Sequence, residues 1–163
     1  MPIPAVPVLY HEPVRWGDVD PVAITRFDAY LRFVEIGEDE LWRSVGVPLH
    51  DLQEQFDVWF PRKLMHVDYE VPSRLSDLLT IVTYLSRVGT TGCTLHVDVM
   101  DRSAEVLHAA AHLVLVCVTR AEFAKRAIPP LLRPKMMSLV TTVDSARASA
   151  RERADARTRG RAS

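Results

Sequence analysis

The chain has 163 residues, 48% of them hydrophobic and 25% charged, the balance of one globular domain with a real core. A formal net charge of −1 supplies no field for nucleic acid or a membrane surface, and no run of about twenty apolar residues is present to span a bilayer. Cys93 and Cys117 sit in apolar, strand-like runs, so they read as buried thiols of a reducing, cytoplasmic compartment; no Cys/His cluster suggests a metal.

Residues 1–7 carry three prolines and read as an extended lead-in, without the basic start or long apolar run of a signal peptide. Val8, Tyr10, Val14 and Trp16 then alternate with mostly polar partners, which predicts a strand; Pro13 puts it at an edge or a bulge. Gly17, Asp18, Asp20 and Pro21 are turn chemistry, and Thr25-x-x-Asp28 reads as a capping box. Phe27, Leu31, Val34, Leu41 and Val45, with Tyr30 and Trp42 beside them, form the apolar stripe of a helix of about five turns. Glu35, Glu38, Asp39 and Glu40 make its polar side, and Gly46 and Pro48 stop it.

Residues 49–57 form either a short second helix or an irregular crossing. Residues 58–71 read as a strand with Met65, Val67, Tyr69 and Val71 on one face, and residues 77–87 as another. Gly89 and Gly92 bracket a turn into a half-exposed strand in which Cys93, Leu95, Val97 and Val99 alternate with polar residues. Residues 104–119 carry both an alanine run and a Val114, Val116, Val118 alternation; a strand is expected, its small side chains letting the helix lie close. One long helix followed by antiparallel strands is an α+β arrangement. Residues 143–163, rich in Arg, Ala, Asp and Ser without apolar period, read as a disordered, solvated tail or a frayed helix beyond a domain of residues 1–142.

The chemistry concentrates in residues 15–30. A helix start leaves N–H groups unpaired and carries partial positive charge, so a carboxylate in the turn before it suits acyl chemistry. On residues alone, Asp20 is equally a turn carboxylate before Pro21.

The run Trp-Gly-Asp-x-Asp-Pro followed by an aromatic and Tyr30 resembles the active-site segment of the 4-hydroxybenzoyl-CoA thioesterase family of hotdog-fold enzymes. Residues 67–72 with Asp77-Leu78-Leu79, and the closing Arg126-Ala127-Ile128-Pro129, are similar to two further family patterns; the resemblance spans roughly residues 9–132. It implies a curved antiparallel sheet wrapped around the helix, a homodimer or homotetramer with sites between subunits, and no cofactor. It places Asp20 as nucleophile or general base, the Phe27 backbone N–H as oxyanion donor, and Asp18 as a turn residue. Arg26 either meets an anionic group on the acyl part or is solvated, and Glu35 either reads the far end of the substrate or simply faces water. Tyr30 joins them at the helix start, while Trp59 and Phe60 are acyl-pocket candidates or buried aromatics.

Two departures stand out. Val22-Ala23 replaces an Ala-Gly common in relatives, and only Arg87 lies near the loop where some relatives hold nucleotide phosphates. The expected donor is therefore an acyl-CoA or an acyl carrier protein, and a non-catalytic acyl-thioester-binding module is the alternative. A dehydratase ranks low because no His occurs in residues 20–30. His66, His96, His108 and His112 read as surface or interface residues without zinc spacing.

Overall fold

The computed structural model describes residues 5–159. The remaining parts of the lead-in and of the tail, 1–4 and 160–163, lie outside the described residues. Five strands form one antiparallel sheet in the order β1-β4-β5-β6-β3: β1 Val8–Pro13, β3 Arg62–Tyr69, β4 Leu78–Val88, β5 Gly92–Asp101 and β6 Leu107–Val116. Helix α1, Tyr30–Ser44, lies across its inner face against β1, β4 and β5, giving the α+β hotdog arrangement. A short helix α2, Leu49–Phe56, leads to β2, Val58–Trp59, which pairs with β7, Val118–Thr119. Helices α3, Arg133–Met137, and α4, Val143–Arg159, close the chain.

The core lies between α1 and the sheet. Phe33, Leu41 and Trp42 pack with Ile81, Leu85, Leu95, Leu113 and Leu115. The small residue that permits close approach is Gly37 on the helix. A Cβ there would stand 2.5 Å from Thr83 Oγ1 and 3.1 Å from methyls of Ile81 and Val97. The expected stripe was rotated: Phe27 and Leu31 are exposed, and Phe33 takes the core position. Glu38, expected on the polar side, is buried and paired with Arg62. Burial pushes its carboxyl above the ordinary range against the pull of Arg62.

Three further expectations change. The strand read over 58–71 breaks at Phe60 and Pro61, so its first part joins β7 and its second forms the sheet edge β3. Tyr69 and Val71 are exposed, though the Tyr69 ring still meets buried Tyr30 edge-on at 5.5 Å. Residues 143–159, read as a solvated tail or a frayed helix, form a helix whose Ala146 and Ala150 pack on Val82, Tyr84, Met100 and Ala104. That packing explains why β4 is buried on both faces from Leu79 to Leu85. Arg147 of α4 forks onto Asp98, whose side chain is 2% exposed. His108 is also buried, with Nδ1 2.8 Å from the Val71 carbonyl oxygen. Both cysteines are buried and free, and burial pushes the Cys93 thiol up to about 12.

Candidate active site

The segment between β1 and α1 is built in three pieces. The first is a 3₁₀ turn, Trp16–Asp18, closed by its own carboxylate: the Arg15 amide donates to Asp18 Oδ2 at 2.8 Å. Arg32 of α1 forks onto the same group, Nε to Oδ1 at 2.9 Å and Nη2 to Oδ2 at 2.5 Å, and donates to Glu12 of β1 at 2.6 Å. Burial alone would raise the Asp18 carboxyl; the bonds from Arg32 and the Arg15 amide outweigh it and hold it below the ordinary range.

The second piece is a tight reversal from Val19 to Thr25. The Asp20 amide donates to the Ile24 carbonyl at 3.0 Å, and the Ala23 amide returns to the Asp20 carbonyl at 2.9 Å. The Asp20 side chain caps the bend, its Oδ1 accepting from the amides of Val22 at 2.9 Å and Ile24 at 3.3 Å. Its Oδ2 has no partner among the described residues. Ala23 sits at φ 62°, the left-handed region that favours glycine, so the Val22-Ala23 departure acts through torsion. Val22 itself is exposed.

The third piece enters the helix. The expected capping box is replaced: the Thr25 hydroxyl bonds to Ser73 Oγ at 2.6 Å and Asp28 pairs with Arg26 at 2.8 Å. A 3₁₀ turn, Phe27–Ala29, precedes α1, and the Phe27 amide has no hydrogen-bond partner among the described residues. Its side chain is 75% exposed, and its carbonyl accepts from the Tyr69 hydroxyl at 3.0 Å. The loop after β3 braces the whole: Thr25 and Ala23 bond the backbones of Ser73 and Leu75.

The residues expected at the site separate into two groups. Asp20, Arg26 and the Phe27 amide share one loop, and exposed Leu31 and Glu35 continue the Phe27 side of the helix at four-residue steps. Arg26 already bonds Asp28 and the Gly17 carbonyl. Tyr30 is buried behind the loop, its hydroxyl 3.1 Å from Ser73 Oγ. Phe60 packs on Trp42 at a ring distance of 5.4 Å, and Trp59 stacks on Phe123 at 6.4 Å. Trp42 lies fifteen residues along the chain from Phe27, about 22 Å at helical rise, so these aromatics belong to the far end of α1 within one chain.

Sequence reasoning missed Arg32, Ser73 and a basic groove. A cation in the first turn of a helix opposes the macrodipole, which was the available hint that Arg32 has a dedicated partner. The groove, about 390 Å³, opens at the β4–β5 turn and is lined by Lys63, Arg87, Lys125, Thr90 and Thr91, with no carboxylate among the described residues. Arg87 is therefore joined by two cations that lie far from it in sequence.

A carboxylate capped in a bend, and seven residues on a helix-start amide without a partner among the described residues, are the kinds of group that acyl-transfer chemistry uses. The chain matches the family model described as the thioesterase-like superfamily over residues 14–136, and it belongs to that family. It is similar to the acyl-CoA thioester hydrolase YbgC of Escherichia coli, 28% identical over 123 residues, 74% of this chain and 90% of that protein. Among solved structures it resembles a thioesterase superfamily protein from Jannaschia sp. CCS1, with a TM-score of 0.77 and 22% identity over 87% of this chain and 99% of that one. It also resembles Slr0204, a 1,4-dihydroxy-2-naphthoyl-CoA thioesterase from Synechocystis, with a TM-score of 0.72 and 18% identity over 80% and 96% of the two chains.

Proposed function

We propose that this chain is an acyl-CoA thioesterase in which Asp20 is the catalytic carboxylate. The observation that carries the reading is the division of labour at Asp20: Oδ1 is fixed by two amides of its own bend, while Oδ2 has no partner among the described residues. A thioester carbonyl carbon is attacked either by Oδ2, giving a mixed anhydride that water then cleaves, or by a water that Oδ2 deprotonates. The carbonyl oxygen gathers charge against the Phe27 amide and the start of α1, and a thiolate leaves without a strong general acid. The exposed aromatic and aliphatic surface of Phe27, Leu31 and Tyr69 suits an aromatic or polyketide-like acyl group, with Glu35 at its far end.

The cations of the groove favour a CoA donor over a carrier protein, because Lys63, Arg87 and Lys125 match an anionic nucleotide. A homodimer through β3 completes the reading. That strand is the sheet edge, mostly exposed, and antiparallel pairing with a second copy would satisfy its free backbone groups. From Lys63 to Tyr69 it runs about 20 Å, so self-pairing carries the basic groove of one copy toward the Phe27 end of the other.

The test is thiol release, followed with a DTNB-type reagent, from aromatic and aliphatic acyl-CoAs and from acyl carrier protein. Wild type is compared with Asp20→Asn, and mass is measured by sedimentation. Turnover of CoA esters that disappears in the variant supports the enzyme. Binding without turnover in either protein points to an acyl-thioester-binding module. Label in the Asp20 carboxylate after single turnover in heavy-oxygen water marks direct attack, with water opening the anhydride at the Asp20 carboxyl carbon; opening at the acyl carbon, like the water route, labels only the product acid.

A further inference from the structure

We infer that Arg32 is a positioning residue, locking the bend that carries Asp20 to helix α1, which the 3₁₀ turn bearing the Phe27 amide leads into. The inference rests on the catalytic reading of Asp20. Its geometry is independent of that reading. The Arg32 guanidinium meets three residues on two elements at once: both oxygens of Asp18 in the 3₁₀ turn, at 2.9 and 2.5 Å, and in β1 Glu12 at 2.6 Å and the Pro13 carbonyl at 3.3 Å. Asp18 and Glu12 are buried, and Arg15 adds a second cation to Glu12 at 2.7 Å.

Asp18 is the hinge of the arrangement. Its side chain accepts from the Arg15 amide on the leg entering the bend, and its carbonyl accepts from the Arg26 amide at 2.8 Å on the leg leaving it. Both legs of the Asp20 reversal therefore depend on where Asp18 stands. Arg32 is the side chain that ties the Asp18 carboxylate to α1. The cation is seated over the Phe33 ring at 4.6 Å, which fixes the fork further. A fork of this kind sets direction as well as distance, which a point charge does not. The relative placement of carboxylate and oxyanion donor follows from it, and a displacement near 1 Å costs about a hundredfold in rate.

The groups facing Asp18 are the cations of Arg15 and Arg32, the carboxylate of Glu12 and, more distantly, Arg26. With Arg32 removed, only the amide and the charge of Arg15 are left against burial, so the buried Asp18 carboxyl takes a proton at a higher pH than in the wild type.

The experiment compares Arg32→Met, Arg32→Lys, Glu12→Gln and Asp20→Asn with wild type across a pH series on a cleaved acyl-CoA. In Arg32→Met, kcat is expected to fall about ten- to a hundredfold with KM within about threefold, and the acidic limb of kcat to move to higher pH. Arg32→Lys recovers part of kcat, and Glu12→Gln, which keeps the fork, gives a smaller loss in the same direction. Should Arg32→Met not fold, the Lys and Gln variants carry the test by the same kcat and pH readings. Unchanged kcat and an unmoved acidic limb in soluble Arg32 and Glu12 variants, with Asp20→Asn inactive, overturn the positioning role alone. Full activity in Asp20→Asn overturns the catalytic reading beneath it.

Discussion

Ala23 offers a direct measure of what the bend at Asp20 costs. At φ 62° its Cβ crowds the following carbonyl, a strain of about 1–2 kcal/mol for an L-residue. The position is imposed by its surroundings: the Ala23 amide bonds the Asp20 carbonyl at 2.9 Å, and its carbonyl accepts from Leu75 at 3.2 Å. Ala23→Gly removes the strain while adding about 0.4–1 kcal/mol of unfolded-chain entropy, leaving a net gain near 0.5–1 kcal/mol. For a chain of this length that raises Tm by about 1–4 °C. Ala23→Val moves the other way by more than about 1 kcal/mol, since a β-branched side chain tolerates the left-handed region least. Thermal unfolding by circular dichroism gives the stability, and thiol release gives kcat, which should stay within about twofold in Ala23→Gly because the bonds around Asp20 remain. A Gly variant less stable than wild type, or a Val variant equal to it, would refute the claim that this bend stores torsional strain.

Gly37→Ala gains about 1 kcal/mol of helix propensity but drives a methyl into Thr83, Ile81 and Val97, all stiff and buried or nearly so; a net loss of about 1–2 kcal/mol is expected by urea titration. Arg147→Met strands the Asp98 carboxylate under α4 and is expected to cost up to about 3–5 kcal/mol, with much of it recovered when Asp98→Asn is added, read by the same titration. Burial lowers the His96 pKa from its ordinary 6.5, so the folded state prefers neutral imidazole and stability is lost as pH falls below that value. Tyr84, His112, Asp98, Arg147 and Ser86 face this ring, and His96→Gln is expected to flatten the decline between about pH 7 and pH 5 measured by chemical denaturation. Lys63→Ala and Lys125→Ala each raise KM for a CoA ester by about two- to fivefold at low salt, with kcat unchanged and a weaker salt dependence than wild type.

Legibility divided along the range of the interactions involved. The turn at Asp18 and Asp20, the alternation of β5 and the stop at Gly46 were readable because their causes lie within a few residues of chain. The rotation of α1 was not, since Leu31 and Phe33 are equally apolar and only the curved sheet decides which one it covers. The docking of the tail helix on the sheet was hidden for the same reason. Alanine and arginine give no apolar period, yet Ala146 and Ala150 suffice where Tyr84 and Met100 already present a surface and Asp98 waits for a cation. The candidate site follows this rule most strongly. Asp20, Arg26 and Phe27 were visible as one short run, whereas the parts that give that run its geometry come from Glu12, Arg32, Ser73 and Tyr69, and the basic groove from Lys63 and Lys125. Each of these is an ordinary residue in its own stretch. A Ser in a loop or an Arg on a helix acquires its role only when the sheet closes and brings a distant buried carboxylate, hydroxyl or amide within bonding reach.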